Sequence, residues 1–237
     1  MVKSREFKLL FLVCAVFLII RAIPFSDFFN RLTDNSSLSK YLGGISHGVI
    51  LVLIGCYLIS TNNLKDLAGL SFKRFENKYL LIPPLLILVF AFSSIVGNFA
   101  ETNHTIVILF LIQSILLGLS EELFFRGLVQ SVLIRKFFER KNAIMFSVVF
   151  ASLVFAGLHL VNTIRLGGIP LDQLIYSFFA GIYLGSLLLL TGQILPIGIF
   201  HGLVNFLFMF NQVLPDYKKL PFIQNQSILE QVVGLII

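Results

Sequence analysis

The sequence is poor in charge, has no tryptophan, and contains only two cysteines and seven prolines in 237 residues. Charged residues make up 13%, against roughly 25% in soluble domains, too few to build a water-facing surface around a core. Cys14 and Cys56 each fall inside an apolar run, so no disulfide or zinc framework follows from them. There is no Gly/Ser/Pro-rich linker, no low-complexity tract and no internal repeat, and nothing marks a second domain. What the chain has in excess is apolar sequence: 57% hydrophobic residues and a mean hydropathy of +0.93. A membrane-spanning helix needs about 20 such residues in a row. The expected fold is therefore all-α, a polytopic membrane bundle.

The apolar runs are Phe7–Ile23, Tyr41–Ser60, Tyr79–Ala100, Thr105–Ile134, Ala143–Val161, Leu174–Leu190, Leu195–Leu214 and a short Ile228–Ile237, which predicts about eight transmembrane segments. The net charge of +6 sits in short loops between these runs, which argues for membrane topology and against nucleic acid as a partner. The N-terminus and alternate loops carry Lys3, Arg5, Lys8, Lys65, Lys73, Arg74, Lys78, Arg135, Lys136, Arg140 and Lys141. The other side carries six: Arg21, Arg31, Lys40, Arg165, Lys218 and Lys219. That bias predicts a multi-pass protein of the cell membrane with both termini cytoplasmic. The basic and aromatic stretch Ser71–Lys78, beside a span, reads as a contact with lipid headgroups. The chain divides into residues 1–104, helices without motifs; 105–214, a core that carries polar motifs; and 215–237, a short terminal helix, all in one integrated membrane domain.

The polar motifs are the informative part. An ionisable group inside a span costs about 2.5–3.5 kcal/mol on insertion scales, so its presence asks for a reason. The fourth run contains Glu121-Glu122-Leu-Phe-Phe-Arg126. Glu122 and Arg126 share a helix face and predict an ion pair. Glu121 points about 100° away with no cation three or four residues beyond it. A carboxylate in apolar surroundings suits general acid or base work near neutral pH. His159 ends the next run, and His201 and Asn205 lie one turn apart on the seventh. Counted at 1.5 Å per residue from their shared basic loop, Glu121 lies about 21 Å deep and His159 about 25 Å, so the two are expected to meet across adjacent antiparallel helices. Small residues Ser177, Gly181 and Gly185 form a close-packing stripe beside Tyr183, and His47 has no evident partner.

Glu-Glu-x-x-x-Arg at 121–126, Phe-x-x-x-His at 155–159, the Gly/Tyr helix at 179–185 and His-x-x-x-Asn at 201–205 together resemble the CPBP family of intramembrane proteases. That family includes type II CAAX prenyl endopeptidases and Abi-like relatives linked to bacteriocin processing and self-immunity. The resemblance runs from about Leu117 to Phe206 and implies an endopeptidase acting on a membrane-associated or prenylated peptide or protein. It implies that Glu121 and His159 activate water, that His201 and Asn205 stabilise the oxyanion, and that Glu122 and Arg126 support them. The family is often described as metalloproteases, and Glu121, His159 and His201 would supply a two-His, one-Glu zinc set. The helix-borne i, i+4 His pair of a His-Glu-x-x-His site is absent, and Asn205 suits an oxyanion hole, so no cofactor is favoured and zinc stands as the alternative. A non-catalytic binding or immunity protein is the competing reading. A proton-coupled transporter ranks below it, because no inverted repeat is evident.

Overall fold

A computed structural model describes residues 2–71, 77–95, 99, 102–161 and 171–214. The expected helix at Ile228–Ile237, Arg165, Lys218, Lys219 and most of the Ser71–Lys78 stretch lie outside the described residues. Among the described residues the secondary structure is helical throughout. Helices α1 (Val2–Ala22), α2 (Phe25–Thr33), α3 (Ser36–Thr61) and α4 (Ile82–Ile95) precede α5 (His104–Glu122). A π-helical stretch, Leu123–Gln130, then joins α5 to α6 (Ser131–Phe137) without a break. Helices α7 (Ala143–Leu158), α8 (Leu171–Thr191) and α9 (Ile194–Phe208) follow.

Five apolar helical runs are long enough to cross a membrane: Glu6–Thr33, Ser36–Thr61, His104–Phe137, Ala143–Val161 and Leu171–Thr191. Two shorter apolar helices, Lys78–Ser93 and Ile194–Phe208, correspond to the third and seventh expected segments. Against the expectation of about eight spans, the described residues hold five helices long enough to cross and two shorter apolar ones.

Local chemistry sets the breaks. Pro24 has no N–H to continue α1, and α2 starts behind it, where the sequence reading had only a loop. Asp34 turns the chain at φ 49°, and the Asn35 side chain accepts the Leu38 N–H at 3.0 Å to cap α3. Asn103 caps α5 in the same way, accepting from Thr105 and Ile106. Gly192, at φ +69°, reverses the chain between α8 and α9.

The main core joins α1, α3, the π-helical stretch, α7, α8 and α9, with Val13, Leu51, Ile59, Phe124 and Ile197 wholly buried. The chain after α3 folds into this core: Leu64 and Ala68 are fully buried, and Ile194 N–H donates 3.1 Å to Gly69 O. Arg135 Nη1 donates 2.6 Å to Asn62 O at the same end. The small-residue stripe packs as expected. A Cβ on Gly181 would meet Ser152 of α7 at 2.8 Å, and one on Gly185 would meet Gln130 at 2.4 Å. His47 gains a partner that the sequence did not offer. Its Nε2–H donates 2.8 Å to Ile23 O, and its ring stands edge-on to Phe25, tying the α1–α2 corner to α3.

Candidate active site

The site depends on how closely α5 and α9 approach. A Cβ added at Gly118 would lie 2.3 Å from Gly202 N, and one at Gly202 would lie 2.4 Å from Ile115 Cα. Gly198 similarly abuts Leu119 Cα at 3.0 Å. Backbone therefore packs on backbone, as small-x-x-x-small pairs permit within membranes. Sequence reasoning passed over this contact, although Gly198-x-x-x-Gly202 was the signal for it.

One turn beyond Gly118, the two carboxylates of α5 face His201 of α9. His201 Nδ1 is 2.8 Å from Glu122 Oε1, and Nε2 is 3.5 Å from Glu121 Oε2. Glu122 is wholly buried, and its Oε1 also lies 2.9 Å from Arg126 Nη1, the ion pair expected from their spacing. Glu121 has no partner on its own helix, as expected, but it has one across the interface. An ionised carboxylate only accepts, so His201 Nδ1 carries a hydrogen toward Glu122. A direct hydrogen bond from Nε2 to Glu121 then requires one further proton, held by either group. Glu122 fixes the imidazole through one nitrogen and leaves the other aimed at Glu121, the orienting logic of a carboxylate–histidine pair.

Phe155 organises the opposite wall. The Arg126 guanidinium lies 4.5 Å over its ring, while His159 at 4.9 Å and His201 at 6.1 Å stand edge-on to it, at 85° and 84°. His159 Nδ1–H donates 2.9 Å to Phe155 O, which can only accept, so Nε2 is the nitrogen left for chemistry. No ion pair or hydrogen bond joins His159 to Glu121 among the described residues. His159 joins the site through Phe155, which His201 also faces. His159 closes α7, and its ring turns back on its own helix. Asn205 is half-buried one turn beyond His201, and its amide makes no hydrogen bond among the described residues. Glu122 Oε2 and Arg126 Nη2 are buried without a hydrogen-bond partner, which leaves hydrogen-bonding capacity at the floor of the site. Tyr183 is 44% exposed on α8, with no bond to any of these groups.

Among the described residues no three His, Cys, Asp or Glu are grouped to hold a metal ion, and the set of Glu121, His159 and His201 is not so gathered. Both His201 nitrogens face carboxylates, Nδ1 that of Glu122 and Nε2 that of Glu121.

Residues 103–207 match the family model described as type II CAAX prenyl endopeptidase Rce1-like. Over that segment, less than half of its length, the chain is similar to the Rce1-like family. No curated protein and no solved structure matches the chain. The Rce1-like segment begins at the Asn103 cap and ends within the last turn of α9, so it takes in α5 to α9 and all six residues of the site. It extends 14 residues further toward the N-terminus than the motifs alone indicated, because helix α5 before Leu117 carries no polar motif of its own.

Proposed function

We propose that the protein is an intramembrane endopeptidase that hydrolyses a peptide bond of a membrane-associated substrate of the CAAX prenyl type. The observation that carries this reading is the pair of carboxylates from α5 meeting one imidazole from α9, at 2.8 and 3.5 Å, within the Rce1-like segment. In the proposed reaction Glu121 takes a proton from water, whose oxygen bonds to the scissile carbonyl carbon. His159 Nε2 orients that water. The charge that develops on the carbonyl oxygen is met by the Asn205 amide and by the Nε2–H of His201, which carries the further proton while Glu121 acts as base, and each such donor is worth about 3 kcal/mol in a dry site. The C–N bond then breaks, and the amine leaves with the proton from Glu121. Glu122 and Arg126 hold His201 in place and touch no substrate. No step passes through a metal.

The test is cleavage of a synthetic peptide ending in a prenylated Cys-aliphatic-aliphatic-X sequence by the full chain in liposomes, with products identified by mass spectrometry. Wild type should release the last three residues and Glu121→Gln should release none. Equal release by both would overturn the assignment. A wild type that binds the peptide and leaves it intact would favour a binding protein instead.

A further inference from the structure

Glu121, Glu122 and Arg126 sit just before or within the π-helical stretch Leu123–Gln130, and the far end of that stretch is held by a residue that the proposed reaction does not use. Gln130 is 1% exposed, and its Nε2 donates 3.1 Å to Gly185 O of α8. The bond needs glycine there, because a Cβ would come within 2.4 Å of Gln130 Oε1. Buried Ser131 Oγ donates 3.2 Å to Arg126 O, five residues back, one residue further than an α-helical turn reaches. All eight residues of the stretch are buried, so each of these bonds forms out of water.

A π-turn takes in one residue more than an α-turn, so losing it rotates one half of the helix against the other by about 100°. Before the stretch, α5 is fixed in register by the Gly118–Gly202 contact with α9. Within it, Gly127 abuts Ile59 of α3, and Gln130 is bonded to α8. Both sets of contacts can be made at once only while the π-turn persists.

From this we infer that Gln130 is a positioning residue. By anchoring the end of the π-helical stretch on Gly185 O, it holds Arg126 in register with Glu122, and the ion pair between them keeps the Glu122 carboxylate turned to His201. The inference rests on the proposed role of the Glu122–His201 contact, but its test reads that contact directly. The full chain, labelled with ¹⁵N-histidine in detergent micelles, gives four imidazole pairs, with His201 assigned from its loss in His201→Asn. Gln130→Met keeps the length and loses the donor, while Gln130→His keeps a donor at similar reach and adds one signal of its own.

The expected result is that Gln130→Met moves the His201 Nδ1 resonance away from its carboxylate-bonded position, while His47 and His159 hold theirs, and that Gln130→His leaves His201 as in wild type. With a cleavable peptide, Gln130→Met should lower kcat by about a hundredfold and leave KM unchanged. An unchanged His201 signal in Gln130→Met would overturn the inference. So would movement of all signals together in both variants, since the amide would then serve packing alone. If wild type cuts no CAAX peptide, the proposed function fails, and the resonance test still decides the role of Gln130.

Discussion

Adjacent glutamates on one helix do different work because their partners differ. Glu122 is enclosed by Arg126 and His201, so Glu122→Ala strands a buried guanidinium and should cost about 3–5 kcal/mol of stability as well as activity. Among the described residues Glu121 is held by nothing closer than the long contact to His201, so Glu121→Gln should abolish cleavage with little loss of thermal stability in detergent. Thermal melts and peptide cleavage on the same preparations separate the two, and equal stability with full activity in both would refute the division. The amide of Asn205 has no protein partner among the described residues, so its loss should register only when charge develops on substrate. Asn205→Ala should lower kcat about 10²–10³-fold with the melting temperature unchanged. The same argument bears on metal. Chelator-treated protein should retain its activity, and zinc bound near one per chain, with activity lost and restored alongside it, would count against a reaction carried by side chains alone.

These residues were legible in sequence because ionisable groups stand out in an apolar run, and a pair four apart on a helix declares its own geometry. The elements that place them were less legible, for physical reasons. Helix α2 escaped notice because Phe25–Thr33 is short and has Asp27 and Arg31 among its aromatic residues, which reads as a loop. The π-helical stretch escaped because Leu-Phe-Phe and Gly-Leu-Val are apolar all round, so no polar stripe marks the change of period. The partner of His47 is a backbone carbonyl, which no side-chain pattern reports. Glycines show the gap best, since their meaning lies in what a Cβ would strike. Gly202→Ala should cost about 1–3 kcal/mol or more, because the backbone of α5 lies in the way, and activity should fall further than stability as Glu121 and His201 part. Gly157, on the neighbouring helix, has nothing within 4 Å of its added Cβ. Gly157→Ala should leave the melt unchanged or slightly raised. A melt of Gly202→Ala like that of Gly157→Ala would show that the close approach is not needed.

At the scale of the whole molecule, the contacts sort the loops into two ends. Arg135 reaches Asn62, Gly69 O accepts from Ile194, the Asn77 amide donates to Leu190 O, and the Lys136 ammonium lies over Phe7. These contacts gather the start of α1, the chain after α3, the α6–α7 turn and the α8–α9 turn at one end. At the other, Lys40 meets Gln212 and the Phe99 ring lies tilted against Phe210. The described part of the lysine- and arginine-rich set counted in the sequence falls at the first end, although that count used no contact at all. Its excess of positive charge should keep this end in the cytoplasm, because moving such loops across the bilayer is the costlier route. Single cysteines in a Cys14→Ala, Cys56→Ala background test this in intact cells. Cysteine at Arg140 should resist a membrane-impermeant maleimide until the cells are opened, whereas cysteine at Asn35 should react at once. The reverse pattern would invert the protein in the membrane and place the proposed site's basic loops outside.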